Sequence, residues 1–384
     1  MRPLLFLLFM LHAIQPQAQA RLCGNEVLQQ QFGEYGKKLR KSEPPAFERQ
    51  QTTIAVVVHI VWHYPDEHLC DETVFAQIEA LNRDFSSQNL DGTLVPNEFE
   101  SIKSGDTGIR FCLASFDPAG LQTTGIVRTY SPLAEAGVSD SLFYSDRGGS
   151  DAWDAERYLN VWVANTGKFI AGFGTYPGLV PPEKSGVVVH PKYFGTQAEG
   201  RFNLGRTVVH EVGHYLGLLH PWAGGNCDIG DSIADTPPQS LAYEGCPDYP
   251  QYSCGHSNAF MNYMDYVDDG CMVMFTEGQK GIMLAILETL RPSLGATQTT
   301  CSANLTNNFD FKIYPNPTSG EIYLSMQNPL IAEAYSIQLL NSLGQILSTP
   351  HCIRSTSAIQ VNVSSLAPGI YFVRIGKVVK AFAK

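Results

Sequence analysis

The sequence predicts an α+β domain, a mixed twisted sheet carrying one helix with a metal-ligand pattern, followed by a small all-β sandwich. Three observations point there. Residues 52–62, TTIAVVVHIVW, form a β-branched and nearly unbroken apolar run, as in a strand buried on both faces. Residues 210–220, HEVGHYLGLLH, put His210 and His214 four apart, so on a helix both imidazoles leave one face. From residue 309 onward, short alternating segments are separated by Pro315-Asn316-Pro317, Ser319-Gly320, Asn341-Ser342-Leu343-Gly344 and Pro368-Gly369.

Taken in order, the chain opens with Arg2, an apolar run over 4–14 and Ala18-Gln19-Ala20. That is the pattern of a signal peptide over 1–20, too short to span a bilayer as a helix. Ala20-Arg21-Leu22 is a poor lipobox for Cys23. Residues 21–50 are polar, with Gln29-Gln30-Gln31, the basic cluster Lys37, Lys38, Arg40 and Lys41, and Pro44-Pro45. They read as a prosegment. The main domain is expected over 51–292. After the first strand, Asp71 is placed as N-cap of a helix in which Phe75, Ile78, Leu81 and Phe85 recur at helical spacing. Residues 109–116, 159–164 and 186–190 read as strands, and 172–182 as a Gly/Pro-rich loop. Residues 221–260 lack periodicity and are rich in Gly, Pro, Asp and Cys, an irregular excursion. A closing helix is expected over 277–290, with Ile282, Ala285, Ile286 and Leu290 apolar. A linker follows over 293–308, then the sandwich over 309–384.

The 384 residues suffice for two or three domains. A net charge of −11 without a long basic run gives no footprint for nucleic acid. No other segment is apolar enough to span a membrane, so no transmembrane segment is expected in the mature form. Nine cysteines behind a signal peptide imply disulfides, and the odd number leaves at least one thiol or an interchain bridge.

The histidine string carries the chemistry. Gly217 can take a positive φ, end the helix and bring His220 back as a third nitrogen. Three neutral imidazoles leave a fourth position open on tetrahedral zinc, as catalytic sites do. Glu211 then stands where a general base for an activated water is needed. The opposite side of the helix, Val208, Val212, Tyr215 and Leu216, is apolar and faces the core. Packing histidines on a buried helix are the competing reading; the complete HExxHxxGxxH spacing argues against it.

This is a helix of metzincin type, and around it the chain resembles the pappalysin family of metzincins. The resemblance rests on RTVVHEVGHYLGLLHPW, ADTPPQ and NYMDYVDDGCMVMFTEGQ within residues 52–292. It implies a metzincin-like zinc peptidase fold, zinc on His210, His214 and His220, and Glu211 as base. It implies Met264 in a methionine-containing turn beneath the histidines, and Tyr266 assisting at the developing oxyanion. It further implies the disulfides Cys227–Cys254 and Cys246–Cys271, where spacing alone allows three connectivities. It suggests structural calcium in the loop after the helix, with Asp231 and Thr236 as contacts and Asp228 and Asp235 as further oxygen sources; a solvated acidic loop is the alternative. Arg21-Leu22-Cys23-Gly24-Asn25-Glu26 resembles a cysteine switch, in which Cys23 takes the open zinc position in a zymogen. A disulfide from Cys23 to another domain competes. The remaining cysteines would pair as Cys70–Cys112 and Cys301–Cys352. Residues 309–384, with FKIYPNPTSGEIYLS, IQLLNSLGQIL and LAPGIYFVRI, resemble the C-terminal sorting domains of type IX secretion substrates in Bacteroidetes. That implies the type IX machinery as a partner, and a secreted or outer-membrane location.

The leading functional expectation is therefore a secreted zinc endopeptidase acting on protein or peptide substrates. A catalytically silent adhesin on the same fold would have no need of Glu211, and a structural surface protein would leave the histidine spacing unexplained. His59, His63 and His68 fit no standard metal spacing. His190 ends a strand beside the expected cleft, where packing and cleft lining are equal readings. Asp265, Asp268 and Asp269 follow Met264 closely enough for one to face a specificity pocket.

Overall fold

The computed structural model describes residues 22–25, 51–196, 200–223, 227, 230–295, 311–326, 337–348, 359–375 and 378–384. The expected signal peptide, most of the prosegment, the linker, Asp228 and the Cys301–Cys352 pairing lie outside these residues.

The first unit is built on β1 (Leu22–Cys23), β2 (Thr52–Trp62), β3 (Ile109–Leu113), β4 (Ile126–Tyr130), β5 (Tyr158–Val163), β6 (Ile170–Gly174) and β7 (Gly186–Val189), joined in a mixed sheet of order β1-β6-β7-β5-β2-β3. β2 is its spine. It pairs in parallel with β5 on one side, and with β3 and then β4 along the other. Its residues are nearly all buried, which explains its continuous apolar sequence. β6 runs antiparallel to β7, and β1 adds to its outer edge in parallel with it.

Helices α1 (Asp71–Phe85) and α2 (Arg206–Tyr215) pack on one face of the sheet through Val74, Leu81, Phe85, Val208, Val209 and Val212. α3 (Glu277–Thr289) closes the unit, started by a capping box between Thr276 and Gln279. On the other face Val61, Leu142, Phe143, Trp162 and Val188 form a second cluster. Short ladders β8 (Glu244–Gly245) with β11 (Tyr266–Val267) and β9 (Tyr252–Ser253) with β10 (His256–Ser257) shape the excursion after α2.

The second unit has two sheets, β12 (Phe311–Tyr314), β13 (Glu321–Met326) and β16 (Ile359–Asn362) against β14 (Ile337–Leu340), β15 (Ile346–Ser348), β17 (Ile370–Ile375) and β18 (Val378–Ala383). Phe311, Leu324, Leu339, Val373 and Phe382 meet in one core, so it is the expected all-β sandwich.

Several expectations are corrected. Asp71 is the first residue of α1 and Cys70 its N-cap; the Asp71 carboxylate receives Arg128 instead. The first part of the expected 172–182 loop is strand β6, and β4 was not anticipated. α3 buries Met283, Ile286 and Leu287, with Ile282 and Leu290 packed against the core beside them. Cys70 does not pair with Cys112. Cys70 is a free thiol against the Thr73 hydroxyl at the start of α1, while Cys112, on β3, is disulfide-bonded to a partner outside the described residues. Sequence spacing carried no information on that choice.

Candidate active site

Every residue of α2 is buried. Its first turn is pinned electrostatically. The Arg206 guanidinium donates to Asp84, Asp91 and the Asp269 carbonyl, while the Asp269 carboxylate accepts the Leu204 and Arg206 N–H groups. The Arg206 N–H belongs to the unpaired set at the helix start, so Asp269 satisfies it and complements the helix dipole. The last turn is held by buried Arg291, whose guanidinium lies 3.5 Å from the Tyr215 ring centroid and donates to its hydroxyl.

Gly217 sits at φ 88° just past the helix, a conformation only glycine adopts without strain. Leu218 N–H then returns to the Gly213 carbonyl, and the chain turns back toward the helix with His220. The Nε2 atoms of His210, His214 and His220 lie 3.0–3.2 Å from one another. Carbonyl oxygens only accept, so the contacts of His210 Nδ1 to the Tyr263 carbonyl at 2.7 Å and His214 Nδ1 to the Leu218 carbonyl at 2.8 Å fix those protons on Nδ1. The Nε2 lone pairs therefore point inward at one another. Bare lone pairs at that separation repel unless a cation lies between them. Zinc–nitrogen bonds of about 2.0–2.1 Å on a tetrahedral ion place neighbouring nitrogens about 3.3 Å apart, close to what is found. The Cys23 Sγ joins the set, and all four ligand atoms fall within 4.8 Å of one another. Among the described residues this is the one such His/Cys/Asp/Glu group. The donor set fits zinc.

Glu211 is fully buried, and its Oε2 accepts from the Cys23 thiol at 3.4 Å. Cys23 is brought there by β1, whose register sets Cys23 opposite Gly172, with Gly24 N–H donating to the Gly172 carbonyl at 2.9 Å. β6 can approach α2 this closely because it carries glycine at the contact points. A Cβ on Gly174 would stand 2.1 Å from the Glu211 carbonyl oxygen. One on Gly172 would meet the Val188 carbonyl oxygen at 2.8 Å and the Glu211 Cγ at 3.1 Å. Met264, fully buried, lies under the helix at Gly213, where an added Cβ would be 2.5 Å from its Sδ. The Tyr266 ring lies 5.8 Å from that of His210 and 5.0 Å from that of His220. Structure thus gathers His210, Glu211, His214, His220, Cys23, Met264 and Tyr266 in one place.

The disulfides Cys227–Cys254 and Cys246–Cys271 both form. In the same excursion Asp231 and Thr236 are buried, the Asp231 Oδ1 accepting from Ile233 N–H. Asp235 is committed elsewhere, since its oxygens accept from the Thr276 hydroxyl and Gly278 N–H at the start of α3. Asp265 accepts from Gln239, Tyr243 N–H and Tyr266 N–H, and burial pushes its carboxyl up to about 7. Asp268 pairs with Arg201.

His59 is a core residue between Ser150 and Asn160, stacked on Trp162, and burial lowers its pKa to about 4. His63 and His68 make ring contacts around Trp62 and Tyr130. His190 accepts the Lys192 N–H at the start of a short turn. Sequence reasoning missed Tyr176, whose hydroxyl lies 3.0 Å from His214 Nδ1, and Trp222, stacked on His220. The only sequence trace of Trp222 is its place two residues after the last histidine.

Comparison with known proteins agrees with this geometry. Residues 143–288 match the family described as Peptidase M43, pregnancy-associated plasma protein-A, and residues 312–384 match the secretion system C-terminal sorting domain. Mature mirolysin of Tannerella forsythia, solved with a cleaved peptide, is 38% identical with a TM-score of 0.60, covering 65% of this chain and 97% of that one. A promirolysin mutant from the same organism is 35% identical with a TM-score of 0.64, covering 72% and 97%. Extracellular metalloprotease 1 of Coccidioides posadasii is 30% identical over 291 residues, 72% of this chain and 93% of its own length. Among the described residues no helix is long and apolar enough to cross a membrane. The chain belongs to the M43, or pappalysin, family of metalloendopeptidases and carries a C-terminal secretion-system sorting domain.

Proposed function

We propose that the chain is a secreted zinc endopeptidase made as a zymogen, with His210, His214 and His220 as zinc ligands and Glu211 as general base. The observation that carries this reading is the convergence of three imidazole nitrogens, 3.0–3.2 Å apart, beside a fully buried glutamate. Zinc, when bound, would polarise the scissile carbonyl and acidify a water. Glu211 takes the proton of that water as its oxygen adds to the carbonyl carbon, and passes it to the leaving amine as the C–N bond breaks. Tyr266 donates its phenol O–H to the carbonyl oxygen as charge develops there. Met264 supports the helix from below. The test is Glu211→Ala in the mature enzyme: metal content stays at one zinc while casein cleavage falls by about 10²–10⁴-fold. His214→Ala loses both. Full turnover in the Glu211 variant would end this mechanism.

Latency is assigned to Cys23. Its thiol stands among the imidazole nitrogens and against Glu211, where a thiolate would complete the zinc shell and keep water out. The Cys23 thiol is not in a disulfide, which supports this reading over a Cys23 disulfide. Cys23→Ala shortens the activation half-time of the purified zymogen; an unchanged half-time argues for steric blockage alone.

Calcium in the 224–240 loop, with Asp231 and Thr236 as contacts, belongs to the same proposal. Two buried oxygen-bearing side chains support it. Excess EGTA lowers the thermal midpoint if it is right, and leaves it unchanged if it is not. Export by a type IX system of a Bacteroidetes bacterium follows from the sorting-domain match over 312–384. Deleting 309–384 then traps folded protein in the periplasm.

A further inference from the structure

We propose that Trp222 is a positioning residue of the active site, whose indole fixes the ring planes of His220 and Tyr266 and so raises metal affinity at the third nitrogen. The inference rests on the reading of His220 as a zinc ligand.

The three ligands are not held alike. His210 and His214 project from α2, and each gives its Nδ1 proton to a backbone carbonyl. His220 lies beyond the helix end, past Gly217, where no regular backbone orients it. Its ring is covered by an aromatic face. Residues His220-Pro221-Trp222-Ala223 form a turn closed by Ala223 N–H on the His220 carbonyl at 2.9 Å, with proline at the second position. That turn folds the indole back over the imidazole, with centroids 4.6 Å apart and planes only 6° from parallel. The same indole meets the Tyr266 ring edge to face at 5.0 Å and 78°, and Tyr266 meets His220 at 5.0 Å and 79°. Three rings thus brace one another in a closed triangle. Rotation of the imidazole out of line would break its stack, and displacement of the phenol would meet the indole. Groups that hold a ligand without touching the ion commonly set affinity through that orientation.

A merely structural tryptophan makes a different forecast. Trp222 is half-buried, so leucine can fill its volume without the flat face. The experiment uses the full-length chain, stripped of metal by chelator dialysis and titrated with zinc against a chromogenic competitor. Thermal midpoints are measured for metal-free and zinc-loaded forms of wild type, Trp222→Leu and Trp222→Phe. The expected result is that Trp222→Leu weakens zinc binding about tenfold while its metal-free midpoint stays near wild type. Trp222→Phe, which keeps a flat face, recovers affinity to within about threefold of wild type. Equal zinc affinity in Trp222→Leu and wild type overturns the proposal. So does an equal drop of both midpoints in Trp222→Leu, which is packing alone. A wild-type chain that takes up no stoichiometric zinc would instead sink the ligand assignment, and this inference with it.

Discussion

Strands β2 and β6 belong to one sheet and have opposite characters. β2 is an eleven-residue apolar spine that pairs with three neighbours and carries none of the candidate site residues. β6, IAGFG, is five residues at the rim, carries two glycines, and holds both Glu211 and the Cys23 segment. Side chains make the first strand, so its sequence declares it. The second is made by what its residues lack. Where a backbone must lie against a catalytic helix, the side-chain pattern that marks a strand has to disappear, and what remains looks like a loop.

The strongest way to break this contrast is Gly174→Ala. The added methyl would stand 2.1 Å from the Glu211 carbonyl oxygen and 3.2 Å from the His214 Cβ, and backbone cannot give way as a side-chain tip does. The cost should be about 4 kcal/mol or more, at the exceptional end for single substitutions. Little folded protein should be recovered, and a circular dichroism melt within two degrees of wild type would refute the argument from close approach.

A buried carboxyl on the opposite wall gives the next effect. Asp265, beside Tyr266, has its pKa raised by burial to about 7, against about 4 in an unfolded chain. The folded state therefore holds the proton more tightly. The resulting stability is fully present below about pH 4 and is lost as pH rises through about 7. Asp265→Asn removes this dependence. The midpoint of the variant minus that of wild type should rise from pH 4.5 to 7.5, by the equivalent of a few kcal/mol. A difference that stays flat over that range would mean the carboxyl is ionised throughout in the folded chain.

Val58→Ala in β2 should cost about 2–3 kcal/mol, the loss of buried methyl groups plus the cavity they leave. Zinc content and kcat at low temperature should be untouched. A change in kcat larger than the loss of folded protein would show that β2 communicates with the site.

What the sequence made legible follows the same division. The helix, the three histidines, Glu211 and the turn at Gly217 were readable because their spacing is itself the chemistry. The sandwich was readable from its turn residues. The Cys70–Cys112 pairing and the N-cap at Asp71 were misread, because each depends on which distant residue arrives there: Cys112 bonds to a partner outside the described residues, and Arg128 reaches Asp71. Tyr176 gave no pattern at all and Trp222 only its place at the end of the histidine string, both being single aromatic residues whose roles exist only after folding.

The smallest stability effect is the most informative, and it belongs to Gly172. Its φ lies outside the left-handed region, so alanine can adopt the backbone without strain. The added Cβ would meet the Val188 carbonyl oxygen at 2.8 Å, which demands a small shift between β6 and β7, and the Glu211 Cγ and Oε1 at 3.1 and 3.3 Å. Strain of this size costs about 1–2 kcal/mol. None of the three imidazoles is among the nearest contacts, so Gly172→Ala should keep its zinc. The Gly172 carbonyl, which accepts the Gly24 N–H in this structure, keeps its place on the strand edge, so KM should hold. Of the site residues Glu211 is the one pushed, and displacing the proposed general base by a few tenths of an ångström should lower kcat by about tenfold. Comparing kcat, KM and zinc content of the mature variant with wild type separates the outcomes. A fall in zinc content would mean the strand supports the whole helix rather than the base. An unchanged kcat would mean that β6 contributes only an edge, and that the missing side chain at 172 has no bearing on Glu211.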